Sequence, residues 1–203
     1  MVGGSAGGAC VAYQLIAGGA QDIPPFQAAI AEYPAWQPFL NASSQELQFD
    51  NVLQLSNCTD LNCIRGLSSA QLEQVNQQSY ITGYGQPGYG SGDFYYGPVI
   101  DGQFITELPD QSFKYGRFYD VPLLVDRDEY EGNIFTFPNL TTSQVAETAD
   151  ARVLFPFAGQ SFFSRLYQLY PASDFNSTFF QRAAWYGDFI INCMLYCSVI
   201  FLS

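Results

Sequence analysis

A serine set among small residues near the start of the chain is the strongest candidate for a nucleophile. Ser5 stands within the run Gly3–Gly8, which contains the pattern Gly-x-Ser-x-Gly. In that pattern the serine occupies a sharp turn between a strand and a helix, which exposes its Oγ for attack on a carbonyl carbon. The backbone N–H of Ala6 would then face the developing oxyanion. The chemistry indicated is acyl transfer through a covalent acyl-enzyme.

The chain has no histidine among its 203 residues. A serine hydroxyl is a weak nucleophile at neutral pH and needs an adjacent base, usually histidine, to take its proton. Ser5 therefore indicates a hydrolase whose catalytic group is incomplete within these residues.

The serine motif works only with a strand before it and a helix after it. Residues 9–17 predict a buried helix, whereas only Met1-Val2 precede the glycines as a remnant of a strand. Two further apolar runs, residues 27–31 and Val121–Val125, predict buried strands, and the second is typical of a parallel sheet.

Helical patterns occupy much of the remaining chain. The first covers residues 44–56, with Ser43 as its N-cap and an apolar face that includes Leu47. A second begins after Ser68, with Gln71 as the capping-box partner of Ser68. Three more cover residues 142–152, 160–169 and 177–187. The Gly- and Tyr-rich residues 80–97 predict a surface loop, and Pro98–Gly102 a short strand and turn. Strands alternating with helices indicate an α/β domain with a mostly parallel sheet.

The composition favours one acidic globular domain. Hydrophobic residues make up 48% of the chain, which is enough for a sizeable core. Seven basic and nineteen acidic residues give a formal charge of −12, so we expect no nucleic-acid partner and no attraction to an anionic membrane surface. Without histidine or a Cys-x-x-Cys pair, we expect no metal site, and we predict no cofactor and no specific protein partner.

Cysteines and glycosylation motifs indicate an oxidising compartment. Cys58 and Cys63 lie five residues apart, a spacing that suits a small disulfide-closed loop. Asn-x-Ser/Thr motifs, which predict a secreted glycoprotein, occur at Asn41, Asn57, Asn139 and Asn176. Residues 1–8 have no basic flank and no apolar stretch of a signal peptide, so we expect the N-terminus of the secreted protein to lie outside this sequence.

Several landmarks occur in a fixed order along the chain. They are Gly3–Gly8, Phe26–Ile30, Cys58–Leu67, Gly97–Gly102, Val121–Val125 and Glu131-Gly132. Together they resemble the type-B carboxylesterase, lipase and cholinesterase family of α/β-hydrolases, above all its secreted fungal members. The resemblance implies that residues 1–193 form part of an α/β-hydrolase domain, without its N-terminal strands and C-terminal part. Residues 194–203 are an apolar tail that does not resemble the family.

The resemblance also implies roles for individual residues. Ser5 corresponds to the nucleophile, Ala6 to one oxyanion-hole donor, and Glu131 to the acid; Cys58 and Cys63 correspond to a family disulfide. A carboxylate at the carboxyl end of a parallel strand lies on the same sheet edge as the serine turn, where it can orient an imidazole.

Other acids share the turn of Glu131 and remain alternatives to it, namely Asp126, Asp128 and Glu129. The sequence also departs from the family. The Gly-rich oxyanion loop and the catalytic histidine are absent, Gly4 stands where most members carry glutamate, and Tyr33 replaces a small serine.

Three functions remain open at this stage. The first is a secreted carboxylic ester hydrolase acting on small-molecule or lipid esters, of which this chain is an inactive fragment. The second is a non-catalytic, cholinesterase-like binding or adhesion protein. The third is an acidic α/β domain unrelated to hydrolases.

Overall fold

Three short parallel strands form the sheet on which the candidate site stands. The structure is a computed structural model that describes residues 1–21, 23–139 and 141–193. The strands are β1 (Val2–Gly4), β2 (Ala29–Glu32) and β3 (Leu123–Asp126), in the order β1-β2-β3. Val2 pairs with Ile30, and Ala29 with Leu123. The predicted parallel α/β arrangement is confirmed. The predicted tail at residues 194–203 lies outside the described residues.

The described chain contains eight α-helices. They are α1 (Ala6–Leu15), α2 (Ala42–Ser56), α3 (Leu61–Arg65), α4 (Ser69–Gly83), α5 (Pro109–Lys114), α6 (Gln144–Leu154), α7 (Gln160–Leu169) and α8 (Thr178–Gly187). Short 3₁₀ turns lie at Ala17–Ala20, Glu131–Asn133 and Ala172–Asp174, and a π-turn at Asp188–Asn192 extends α8. The capping box at the start of α4 is confirmed, because Ser68 and Gln71 cap each other's backbone N–H.

Helix α2 differs from its prediction at its start and in its burial. Its N-cap is Asn41, not Ser43, because the Asn41 side chain accepts a hydrogen bond of 2.9 Å from the Ser44 N–H. Asparagine is as good an N-cap as serine, so the helix begins two residues earlier than predicted. Leu47 is 68% exposed, so the predicted apolar face is not buried.

Pro98–Gly102 was predicted as a short strand and turn; the turn is present, but the structure has no strand there. Asp101 accepts hydrogen bonds of 2.8–3.0 Å from the backbone N–H groups of Gln103, Phe104 and Ile105. These hydrogen bonds hold residues 101–105 as a turn. The Gly- and Tyr-rich segment before it is also not a simple surface loop, because Ser91 and Tyr95 are buried.

Two apolar clusters hold the domain together. In the first, α1 packs on the sheet with Trp36 and Phe113. In the second, α6, α7 and α8 meet around Phe163, Trp185 and Tyr186. A disulfide joins Cys58 and Cys63 between α2 and α3. Among the described residues, no helix has the length and apolar character needed to cross a membrane.

Candidate active site

Ser5 lies in a strained turn between a strand and a helix. β1 ends at Gly4, α1 begins at Ala6, and Ser5 between them is exposed with φ +56° and ψ −123°. A positive φ is rare for a residue with a Cβ and is typical of functional sites. The Ser5 N–H donates to the Glu32 carbonyl at 3.0 Å, and the Ser5 carbonyl accepts from Ala35 N–H at 3.0 Å. These bonds fix the backbone that presents the hydroxyl.

The glycines around the serine allow the helix to approach the sheet. A Cβ on Gly3 would lie 2.3 Å from the Gly7 carbonyl oxygen, and one on Gly8 would lie 2.7 Å from the Glu32 carbonyl oxygen. Ala6 is the first residue of α1, so its N–H has no acceptor within the helix. The positive end of the helix dipole lies at the same place, which suits an anion beside Ser5.

Glu131 is the buried acid of the turn that follows β3. It begins the 3₁₀ turn Glu131–Asn133 and is 8% exposed, whereas Asp126, Asp128 and Glu129 are exposed. Its Oε1 accepts a 2.6 Å hydrogen bond from the Asp128 N–H. Burial raises the pKa of the Glu131 carboxyl above its usual range, and this hydrogen bond offsets part of the increase.

Two facing glycines allow the backbone of the Glu131 turn to contact the backbone of α8. A Cβ on Gly132 would lie 1.7 Å from the Ala183 carbonyl oxygen. A Cβ on Gly187 would lie 2.7 Å from the Gly132 nitrogen. The hydroxyl of Thr136 also donates to the Gly132 carbonyl at 2.8 Å. The position of Glu131 therefore depends on backbone contact between this turn and α8.

Ser5 and Glu131 line the same cleft. The cleft has a volume of ≈ 370 Å³, within the range of small-molecule sites. Its other lining residues are Tyr33, Asp128, Glu129, Tyr130, Ile134, Phe135 and Ile191. The structure thus brings two residues that are distant in the sequence into one cleft, whose lining also includes apolar side chains.

A buried charge cluster joins α8 to α6, and sequence reasoning missed it. Arg182 of α8 is 1% exposed and lies 3.1 Å from Asp150 and 3.8 Å from Glu147. It also donates to the Ser91 carbonyl at 3.0 Å, and its guanidinium stacks on Trp185. The only sequence signal was that Arg182 is the one charged residue of α8, which did not identify its partners.

The segment after Ser91 contacts the cleft wall directly. A Cβ on Gly92 would lie 2.2 Å from the Phe135 carbonyl oxygen, and the ring of Phe94 meets that of Phe135 at 6.5 Å. Between them, partial burial raises the pKa of Asp93 to about 7, although the Phe94 N–H and Arg182 oppose the increase. Asp93 thus changes charge near neutral pH.

We expect Asp93 to make the folded chain less stable as pH rises. Its folded pKa is raised, so between pH 4 and pH 7 the folded state binds more protons than the unfolded state, and stability falls across this window. In urea unfolding, Asp93→Asn should reduce the loss of stability between pH 5 and pH 8 by about 2 kcal/mol. This is less than the free energy that corresponds to the whole pKa shift, because Asp93 is only partly buried. Identical pH dependence in the two chains would contradict this expectation.

The four predicted glycosylation sites all lie on the surface. Asn41, Asn57, Asn139 and Asn176 are exposed. Asn41 caps α2 through its side-chain oxygen, which leaves its amide nitrogen outside that hydrogen bond. Glycosylation at these positions stays a prediction.

The fold and the cleft define a class of protein. A serine at a strand–helix turn of a parallel sheet, with a buried acid after a later strand of the same sheet, is the arrangement of an α/β-hydrolase. Residues 1–185 match the family described as the carboxylesterase family. The chain therefore belongs to the carboxylesterase family, and the hypothesis of an unrelated acidic domain is wrong.

Individual relatives agree with this assignment. The chain is 26% identical to a secreted lipase of Arthroderma benhamiae over 94% of its own length and 36% of the lipase. It is 38% identical to the carboxylesterase patB of Penicillium expansum over 54% of its own length and 18% of that protein. The crystal structure of Aspergillus niger EstA superposes with a TM-score of 0.84 at 26% identity, covering 99% of this chain and 40% of EstA. The chain spans about a third or less of these two curated relatives.

Proposed function

We propose that this chain supplies the nucleophile and the acid of a secreted carboxylic ester hydrolase. The observation that carries the proposal is the shared cleft, in which Ser5 at its strained turn and the buried Glu131 are both lining residues. A structural serine would need no strained backbone, and a solvated turn acid would need no burial.

The mechanism follows from the positions of these groups. Ser5 Oγ attacks the ester carbonyl, the Ala6 N–H donates to the developing oxyanion, and the alcohol leaves to give an acyl-enzyme that water hydrolyses. An imidazole oriented by Glu131 takes the Ser5 hydroxyl proton and returns it to the leaving alcohol, and Glu131 stabilises the protonated imidazole in between. Because the 203 residues contain no histidine, that imidazole has to come from outside them, and the chain alone is inactive as an esterase.

Substrates are neutral esters of small molecules or lipids. The relatives are named as lipases and a carboxylesterase, and Ile134, Phe135 and Ile191 give the cleft apolar walls. Apolar surface favours uncharged acyl and alcohol groups over charged ones.

The protein is proposed to be secreted and glycosylated. Its relatives from Arthroderma benhamiae and Botryotinia fuckeliana are named as secreted lipases. The Cys58–Cys63 disulfide and the four exposed glycosylation motifs suit an oxidising compartment.

A second candidate is a non-catalytic binding or adhesion protein of the same fold. A complete gene without a histidine downstream of Glu131 would favour it. The two candidates differ in whether Ser5 becomes a nucleophile when a base is supplied.

Added imidazole tests this difference. Without imidazole, the chain and its Ser5→Ala variant should hydrolyse p-nitrophenyl acetate at equal rates. Imidazole also cleaves this ester by itself. In its presence the hydrolysis rate of the native chain should exceed that of Ser5→Ala by about tenfold, because a supplied base activates the serine.

The acid is tested by a matched pair of variants in the same assay. Glu131→Gln should lose the Ser5-dependent gain, whereas Glu129→Gln, an exposed acid of the same turn and cleft, should keep it. If the native chain and Ser5→Ala hydrolyse the ester at equal rates at every imidazole concentration, the non-catalytic binding or adhesion protein is favoured.

A further inference from the structure

Tyr33 has a backbone conformation that is unusual for its residue type. Its φ is +35°, in the left-handed region that residues with a large side chain rarely adopt. The Tyr33 N–H lies 3.0 Å from the Asp126 carbonyl oxygen and 3.1 Å from Asp126 Oδ1, so the end of β3 holds it in place. The side chain is 37% exposed, so burial gives only limited compensation for this conformation.

The ring of Tyr33 reaches the residue that precedes the nucleophile. A Cβ on Gly4 would lie 2.9 Å from the Tyr33 hydroxyl oxygen and 3.1 Å from Cζ. The end of the ring therefore occupies the space where a side chain at position 4 would begin. Tyr33 and Ser5 are both lining residues of the cleft.

We propose that Tyr33 determines the size specificity of the Ser5 cleft. Its ring closes the cleft on the Gly4 side of Ser5, so that this side admits compact substrate groups and excludes branched ones. The inference rests on the proposed function, because it takes the cleft as the ester site. Because the strained Tyr33 gains little from burial, its ring acts here through the shape that it gives to the site beside Ser5.

The experiment compares binding of two neutral ketones that resemble phenyl esters and are not hydrolysed. Acetophenone carries a methyl group on its carbonyl, and pivalophenone carries a branched tert-butyl group. Dissociation constants are measured by saturation-transfer NMR for the native chain, Tyr33→Phe and Tyr33→Ala. Tyr33→Ala keeps a Cβ at the same positive φ, so the backbone strain is matched, and circular dichroism confirms that each chain is folded.

We expect Tyr33→Ala to shift the ratio of the two dissociation constants by about tenfold in favour of pivalophenone. Tyr33→Phe, which keeps the ring, should leave the ratio at the native value. Equal ratios in all three chains, or no binding to any of them, would overturn the inference. Serine reactivity plays no part in ketone binding, so failure of the proposed function would instead appear as equal rates of the native chain and Ser5→Ala in imidazole.

Discussion

Replacing Gly132 with alanine is expected to cost more than about 4 kcal/mol of stability, or to prevent folding altogether. The new methyl group would lie 1.7 Å from the carbonyl oxygen of Ala183, which is backbone in the middle of α8. A flexible side chain could move aside, but a helix backbone cannot move without separating the Glu131 turn from α8. The measurement is urea unfolding followed by circular dichroism.

A matched glycine separates this contact from the general effect of alanine. Gly7 lies in the first turn of α1, and a Cβ there would meet no heavy atom within 4 Å. Gly7→Ala should therefore leave stability unchanged or raise it by up to about 1 kcal/mol, because alanine is the better helix former. If Gly132→Ala unfolded at the same urea concentration as Gly7→Ala, the glycine contact would not be what positions Glu131.

Replacing Arg182 with methionine is expected to cost about 3–5 kcal/mol, because it leaves two acids without their counter-charge. Glu147 is fully buried and Asp150 is largely buried, and burial already raises the pKa of both carboxyls. Without the guanidinium, both carboxylates would lose a favourable charge while remaining out of water. Urea unfolding at pH 8 measures the loss.

Two controls assign this loss to the buried charges. Arg165→Met removes an exposed arginine from α7 and should change stability by less than about 0.5 kcal/mol. Adding Glu147→Gln to Arg182→Met should restore part of the loss, because one uncompensated charge is removed. A double variant no more stable than Arg182→Met alone would show that stacking on Trp185, not charge, gives Arg182 its importance.

Local sequence signals predicted the strand–turn–helix at Ser5. Gly3 faces the Gly7 carbonyl oxygen across the turn of Ser5, a contact between residues four positions apart, and the spacing of the small residues indicated the strand–turn–helix. The capping box of Ser68 and Gln71 is equally local, and its prediction is confirmed. Such features depend on residues that are close together in the sequence, so their spacing can be recognised there.

Features that depend on distant partners were not predictable in this way. The burial of Arg182 is explained by Glu147, Asp150 and Ser91, which no spacing rule connects with it. Leu47 has the spacing of a core residue, yet it is exposed because α2 packs beside α4 and not under the sheet. The role of Gly132 depends on the backbone of α8, about 50 residues later in the chain.

The order of the strands has a consequence for how the cleft forms during folding. β1, α1 and β2 follow one another closely, whereas pairing of Ala29 with Leu123 closes a loop on the order of 90 residues. Long-range parallel pairing is slow, because chain entropy is lost before the contacts stabilise the product. Ser5 belongs to the early, local unit, and Glu131 arrives only with β3. We therefore expect the serine turn to form on a faster timescale than the complete cleft.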